Sequence, residues 1–291
     1  MIKVLQSLLI SMRPKQWTKN LFLFSALVFS EKLNDLPIVL SVGAGFLLFS
    51  LIASGGYILN DIIDAEKDRT HPIKQKRPIA SGALSKKTAL LFCLLFLSAS
   101  LIASFCLSQP FFFVVLAYLL IMFLYSFWLK KIVILDVMTI SAGFVLRIVA
   151  GAVVIPVEPS FWLLICTMLL ALFLALSKRR HELVLLEGSA PSHRTILSEY
   201  TPAFIDEMIS AVTGGLLIAY SLYTISAETQ EKFGKNLPLT IPFVLYGIFR
   251  YLYLVHQKGK GGRPEIDIVF DKPLMIGICG WIVSVLVIIY L

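Results

Sequence analysis

Four oxygen-bearing side chains stand close together in the chain: Asn60, Asp61, Asp64 and Asp68. They end a long apolar run, so a helix arriving from that run carries into them. At about 100° per residue, Asp68, Asp64 and Asn60 fall at about −20°, −60° and −100° from Asp61, while Glu66 points away at about +140°. Carboxylates crowded onto one arc repel one another unless a cation lies between them. Hard oxygen ligands at this spacing suit Mg²⁺, which keeps several waters and shares a substrate's phosphates. The expected metal set is Asn60, Asp61, Asp64 and Asp68, and loss of Asp61 or Asp64 is expected to abolish turnover.

A basic, turn-rich stretch follows at once, with Arg69, His71, Lys74, Lys76 and Arg77 among Pro72, Pro78 and Gly82. Acids followed by a basic loop are what a metal–diphosphate needs. The metal bridges phosphate oxygens while Lys74 and Arg77 neutralise the departing charge. A loop that is basic only for membrane topology accounts for the lysines but not for the acids beside them. His71 reads as a hydrogen-bonding residue that orients the loop rather than as a base.

The elements that must position these groups are legible in the composition. Of 291 residues, 58% are hydrophobic and 15% are charged, against about 25% charged in an ordinary soluble domain. A soluble enzyme, a disordered chain and a secreted disulfide scaffold are excluded. Cys93, Cys106, Cys166 and Cys279 all lie in apolar runs and read as small buried hydrophobes. The fold class is all-α, a polytopic membrane protein of about nine transmembrane helices. The apolar runs are 17–31, 37–60, 87–107, 110–129, 132–153, 160–178, 203–226, 238–257 and 272–291. The short apolar stretch before Arg13 reads as an interfacial helix rather than a signal peptide.

Charge orients the bundle. With the N-terminus inside, 21 of the 26 lysines and arginines fall on inner segments and 3 on outer loops; Arg147 and Arg250 lie within spans. This bias sets a cytoplasmic N-terminus and an outer C-terminus, in an inner (cytoplasmic) membrane. The net charge of +8 is therefore no nucleic-acid footprint. Part of it is topological, and part is available to a polyanion on the inner face. The two long polar segments, 60–86 and 178–201, follow the second and sixth spans. They suggest two similar bundles, each with a loop over one cytoplasm-facing polar cavity, in a single catalytic domain of residues 1–291.

The motif Asn60-Asp61-x-x-Asp64-x-x-x-Asp68, followed by His71-Pro72-x-Lys74-x-x-Arg77-Pro78-x-x-Ser81-Gly82, resembles the first signature of the UbiA superfamily of intramembrane prenyltransferases. The resemblance implies a helical bundle with a cavity open to lipid and Mg²⁺-dependent chemistry on a diphosphate ester. The chain departs from the common pattern after the sixth span. Where a second Asp-rich motif usually stands, it reads Lys178-Arg179-Arg180-His181-Glu182. Lys178 and Glu182 are i,i+4 neighbours, so a simple pair is one reading. The missing acids favour a site that holds additional phosphates with Lys and Arg. That segment, Arg13 to Asn20 and Tyr125 to Lys130 are similar to one branch, the decaprenyl-phosphate phosphoribosyltransferases. The similarity implies that phosphoribosyl pyrophosphate is the donor and a polyprenyl phosphate the acceptor. It also implies substrate contacts from Lys15, Lys19, Asn20, Arg69, Tyr125, Lys178, Arg179 and Glu182.

Arg147 has Gly143 and Gly151 at i−4 and i+4, so it faces a closely packed neighbour rather than lipid. A charge at this depth costs about 2.5–3.5 kcal/mol on insertion scales and needs a partner. Two readings stand: Arg147 reaches the cavity, touching phosphate or orienting Asp136, or it forms a buried ion pair between helices. Asp136 is either that partner or a substrate contact. Arg250 reads as a snorkelling residue.

The nearest alternative is prenyl transfer from a prenyl diphosphate to an aromatic acceptor, which the absent second acidic motif disfavours. A transporter is disfavoured because polar residues gather at one face rather than at mid-membrane. A non-catalytic scaffold leaves the acidic arc without a purpose. The residues leave the polyprenyl length and self-association into a homo-oligomer open.

Overall fold

The computed structural model describes residues 2–70, 74–185 and 195–291. His71, with its expected loop-orienting role, and 186–194 of the second polar segment lie outside the described residues. Every regular element among the described residues is helical: α1 Ile2–Met12, α2 Phe24–Phe29, α3 Leu36–Ile63, α4 Ala65–Thr70, α5 Lys86–Leu107, α6 Gln109–Phe127, α7 Leu135–Val154, α8 Phe161–Leu185, α9 Pro202–Ile225, α10 Ala227–Phe233, α11 Ile241–Gln257, α12 Pro264–Phe270 and α13 Lys272–Tyr290, with short 3₁₀ segments between some of them.

Eight of these helical segments have the length and apolar composition of a membrane span. Their starts follow local chemistry. Asp35, Ser85, Ser108, Thr201 and Asp271 each accept a hydrogen bond from a backbone N–H three residues on, which satisfies an orphan donor of the first turn. Pro37, Pro110, Pro202 and Pro273 sit within the first two helical positions, where a missing N–H costs little.

The first expected span, 17–31, is of another kind. Residues Pro14–Leu23 form a 3₁₀ helix that passes into the short α2. Its polar side chains explain the departure, because they are used as contacts rather than left to lipid. The Asn20 amide donates to Ser50 Oγ (2.9 Å) and its carbonyl accepts from Arg147 Nε (2.8 Å). Trp17 Nε1 donates to Ser54 Oγ (3.0 Å), and that hydroxyl lies 3.0 Å from the carbonyl of Met12. Ser50 and Ser54 are one turn apart on α3, so the segment docks along a polar stripe of that helix.

Two compact units are present, one made of Met1–Leu129 with Leu146–Glu158, the other of Lys130–Val145 with Pro159–Leu291. In the first, α3 packs chiefly on α5, and also on α1, α6 and the 3₁₀ segment. Phe49, Ile52, Phe111, Val115 and Ala150 form a core there, with Leu23 of the 3₁₀ segment. In the second, α8 packs on α9 around Phe173, Leu176, Ile205, Ile209 and Tyr251. Arg250 does not simply snorkel: its guanidinium grips Asp271 through two 3.0 Å hydrogen bonds.

Arg147 is buried and faces a closely approaching neighbour, the 3₁₀ segment. It donates to Asn20 and, through Nη2, to Tyr118 Oη (3.1 Å), and it lies over the Phe49 and Tyr118 rings. Beside it, a Cβ added to Gly151 would overlap the carbonyl of Leu23. Gly151 therefore has no room for a side chain.

Two predictions follow from this packing. Gly151→Leu is expected to lower the thermal unfolding midpoint of the detergent-solubilised protein, since overpacking costs about 1–3 kcal/mol. An unchanged midpoint would mean that the segment does not lie against α7. The second concerns pH. The Arg250 hydrogen bonds hold the Asp271 carboxyl below the usual carboxylate range. A depressed folded value stabilises above the unfolded value of about 3.9, and that stability is lost as pH falls through the folded value. Asp271→Asn should therefore lower the midpoint at pH 7 and leave it closer to that of the unsubstituted protein in strong acid. A deficit that stays constant with pH would refute the pairing.

Candidate active site

Helix α3 delivers Asp61 in its last turn and stops at Asp64, whose backbone (φ −87°, ψ 2°) is close to helical. Helix α4 resumes at Ala65, and the Asp68 N–H still donates to the Asp64 carbonyl at 2.8 Å. The register thus survives the break. Asp61 and Asp68, seven residues apart, face one point. Both are buried, at 2% and 4% exposure, so each carboxylate needs a positive partner.

Arg77 supplies it to both. The short 3₁₀ turn Lys74–Lys76 ends with the Arg77 N–H donating to the Lys74 carbonyl (2.9 Å), and Pro78 and Ile79 behind it are buried. From this anchored turn, Arg77 Nη1 donates to Asp61 Oδ1 (3.0 Å) and to Asp68 Oδ2 (2.6 Å). A second guanidinium arrives from the end of α1, where Arg13 Nη2 lies 2.5 Å from Asp61 Oδ1. Ile10, Arg13, Asp61, Lys74, Lys76, Arg77 and Pro78 line a pocket of about 310 Å³. Four cationic side chains surround one acid on its wall, the electrostatics of a polyanion site.

Asn60 and Asp64 are half-buried beside this pair. Glu66, expected to point away, is exposed and takes Lys86 (2.7 Å) and Arg69 (2.8 Å). The Lys86 hydrogen bond and the Arg69 charge hold its carboxyl below the usual range. Arg69 also donates to the Ala80 carbonyl (3.3 Å), so it braces the basic turn. Lys15 is exposed, and Lys19 and Tyr125 are half-buried. Sequence reasoning used Arg13 for topology and as the start of the Arg13–Asn20 resemblance, and missed its place at Asp61. The available signal was an arginine immediately before a proline at the end of an amphipathic helix.

The donors suit a magnesium ion in a particular way. Among the described residues no three carboxylate, histidine or cysteine side chains gather as a metal cage. Two do converge: Asp61 and Asp68 already hold one positive nitrogen between them. Mg²⁺ is usually held through one or two carboxylates plus substrate phosphates and water, rather than by an all-protein cage. Asp61 and Asp68 fit that pattern, with Asn60 and Asp64 next to them.

In the second unit, the basic stretch at the end of α8 is part of the helix, which runs past its expected end near 178 to Leu185. Its charges are paired, which lets the helix continue beyond the apolar run. Arg179 is buried and donates from Nε to Asp136 Oδ2 (2.7 Å) and from Nη1 to Glu182 Oε2 (2.5 Å). Glu182 is therefore engaged one turn away by Arg179, in addition to any part Lys178 plays. Arg180 holds Asp206 of α9 through Nε at 2.6 Å.

The Asp136 carboxylate, read from the sequence either as Arg147's partner or as a substrate contact, is engaged within this unit. Besides Arg179 it accepts from Tyr200 Oη (2.8 Å), which in turn accepts from the Ile134 N–H (2.7 Å). Burial, then the adjacent carboxylate, pushes the Tyr200 hydroxyl up to about 12, so it stays a donor. No sequence signal pointed to Tyr200, which is 64 residues from Asp136.

The UbiA prenyltransferase family model matches residues 21–265. Over 294 aligned residues the chain is 30% identical to the decaprenyl-phosphate phosphoribosyltransferase of Mycolicibacterium smegmatis, covering 96% of this chain and 91% of that protein. It is 29% identical to the enzyme of the same name from Corynebacterium glutamicum, covering 97% of this chain and 86% of that one. Among solved structures, a UbiA homolog from Archaeoglobus fulgidus bound to GPP and Mg²⁺ matches with a TM-score of 0.74 at 19% identity, covering 98% of this chain and all of that one. With eight apolar helices of spanning length and a match over most of its length, the chain is an integral multi-pass membrane protein and a transferase that belongs to the UbiA prenyltransferase family.

Proposed function

We propose that the protein transfers a 5-phosphoribosyl group from phosphoribosyl pyrophosphate to a polyprenyl phosphate and releases pyrophosphate. The observation that carries this reading is the pocket in which Arg13, Lys74, Lys76 and Arg77 surround Asp61, with Asp68 sharing Arg77. Such a wall suits a donor that brings a diphosphate and a further phosphate. Two near-full-length relatives carry the name of this activity. The basic end of α8, where Glu182 is engaged by Arg179, supports the same reading, because among the described residues no second acidic cluster stands there for a second metal.

In this mechanism Asn60, Asp61, Asp64 and Asp68 would hold Mg²⁺, which would supply positive charge against the donor's pyrophosphate. Lys74 and Arg77 hold the same pyrophosphate and stabilise it as the C1–O bond breaks with oxocarbenium character. An oxygen of the lipid phosphate forms the new bond to C1, and the leaving pyrophosphate keeps the electron pair. A phosphate monoester is already anionic at neutral pH, so the chain needs no strong general base. Positioning and charge stabilisation supply the rate. Asn20 and Arg147 serve by holding the first segment in place. Lys15, Lys19, Arg69, Tyr125, Lys178, Arg179, Glu182 and Asp136 complete the substrate-side set, and residues 1–291 act as one catalytic domain. The excess of cations on inner segments supports a cytoplasmic N-terminus and this chemistry on the cytoplasmic side.

The test is purified protein in detergent with Mg²⁺, phosphoribosyl pyrophosphate and a polyprenyl phosphate, with lipid products followed by mass spectrometry. A parallel reaction receives a prenyl diphosphate and hydroxybenzoate. The expected product is a lipid heavier by one phosphoribosyl unit, and product only in the parallel reaction would overturn the assignment. Asp61→Asn and Asp68→Asn are expected to lower kcat by about 100-fold or more, the scale of removing one preorganised electrostatic contact. Full activity in both would remove the metal role.

A further inference from the structure

Arg13 occupies backbone space that an arginine enters only under constraint. Its φ of 54° and ψ of 60° lie in the left-handed region, which glycine enters without steric cost and other residues do not. Pro14 follows, and a proline ring steers its predecessor toward extended backbone. Ending α1 does not require this, since glycine or asparagine ordinarily provides a left-handed cap. Strain held at the wall of a ligand pocket points to a role there.

The side chain shows what the strained backbone supports. Arg13 Nη2 lies 2.5 Å from Asp61 Oδ1, and its guanidinium stacks 5.1 Å from the centre of the Tyr57 ring. That same oxygen already accepts from Arg77 at 3.0 Å. Arg13 is thus a second guanidinium on an oxygen that Arg77 already engages, and unlike Arg77 it has no hold on Asp68 as well among the described residues. The backbone around it is fixed. The Arg13 N–H donates to the Ile10 carbonyl (3.2 Å), the Gln16 N–H donates to the Arg13 carbonyl (2.8 Å), and the Met12 carbonyl is held by Ser54 (3.0 Å). Only the side chain is left to move.

We propose that Arg13 is a positioning residue that keeps the divalent cation's place on Asp61. It holds Oδ1 while the cation is absent and turns to the substrate's phosphates when the cation takes that oxygen. The proposal rests on the reading of this pocket as a metal–diphosphate site. A cation at about 2.1 Å from Oδ1 would add a third positive group to an oxygen that already takes two, and Arg13 is the one to yield, because Arg77 is also anchored on Asp68 Oδ2 at 2.6 Å. The released guanidinium remains tethered at the pocket wall beside Lys74 and Arg77. Cation and diphosphate therefore bind cooperatively, with Arg13 as the coupling element.

The test measures Mn²⁺ binding by electron paramagnetic resonance on the full chain in detergent, without substrate, and inorganic pyrophosphate binding separately. Arg13→Gln should tighten Mn²⁺ by about tenfold, within the usual range of coupling, and weaken pyrophosphate. Arg13→Gly should do the same, with no backbone cost at this φ. Lys76→Gln is the control, because Lys76 lines the same pocket but makes no ion pair with Asp61 among the described residues. It should change Mn²⁺ affinity by less than about threefold, the scale of a screened exposed charge. Equal gains in Arg13→Gln and Lys76→Gln would reduce the effect to bulk charge and overturn the proposal. No gain in either Arg13 variant, with binding abolished by Asp61→Asn, would overturn it while leaving the metal site standing. No Mn²⁺ binding by the unsubstituted protein would overturn both.

Discussion

Two carboxylates withdrawn from water at the end of a membrane helix have to be matched by positive charge. Asp61 and Asp68 meet that demand by sharing Arg77, and much of the first unit is arranged around this contact. The helix must keep its register through the break at Asp64, or the two acids would face different ways. The turn that presents Arg77 must be rigid, and buried Pro78 and Ile79 make it so. Removal of Arg77 would take from buried Asp68 its ion-pair partner among the described residues, which costs far more than the pair is worth. A centre already built around a cation between two carboxylates is also one where a divalent metal finds its ligands in place.

The second constraint is close approach. The polar 3₁₀ segment that leads from Arg13 toward α2 docks by contacts that helical spans rarely offer: a serine pair on α3, a glycine on α7 with no room for a Cβ, and a buried arginine satisfied by an amide and a phenol. An arginine in apolar surroundings is costly. Here two hydrogen bonds and two aromatic faces surround it, and that stabilisation is spent on holding the segment that carries Arg13 into the pocket.

The second unit solves a similar problem with different chemistry. Its α8 ends in consecutive basic residues, which would repel one another in an isolated helix. Asp136, Glu182 and Asp206 absorb that repulsion, and the Tyr200 hydroxyl fixes Asp136 by a hydrogen bond. The acids in this unit thus serve arginines, whereas in the first unit the arginines serve the acids. This asymmetry agrees with a chain that has one acidic motif rather than two.

The sequence by itself determined the membrane class, seven spans to within a few residues, the longer reach of α8 excepted, and the acidic arc with its basic turn. These rest on local rules: apolar run length, proline and cap positions, and the fixed angle per residue of a helix. The same rules placed Glu66 away from Asp61 and set Arg147 against a close neighbour. They could not say which neighbour. Asn20 and Arg147 are 127 residues apart, Arg13 and Asp61 are 48 apart, and Tyr200 and Asp136 are 64 apart. Those pairings depend on how helices pack, and residue spacing along the chain carries no record of it. The first segment shows the limit most clearly. Its composition reads as a short span, but buried partners on α3 and α7 reward a tighter helix whose polar side chains face protein, and only the tertiary structure contains those partners.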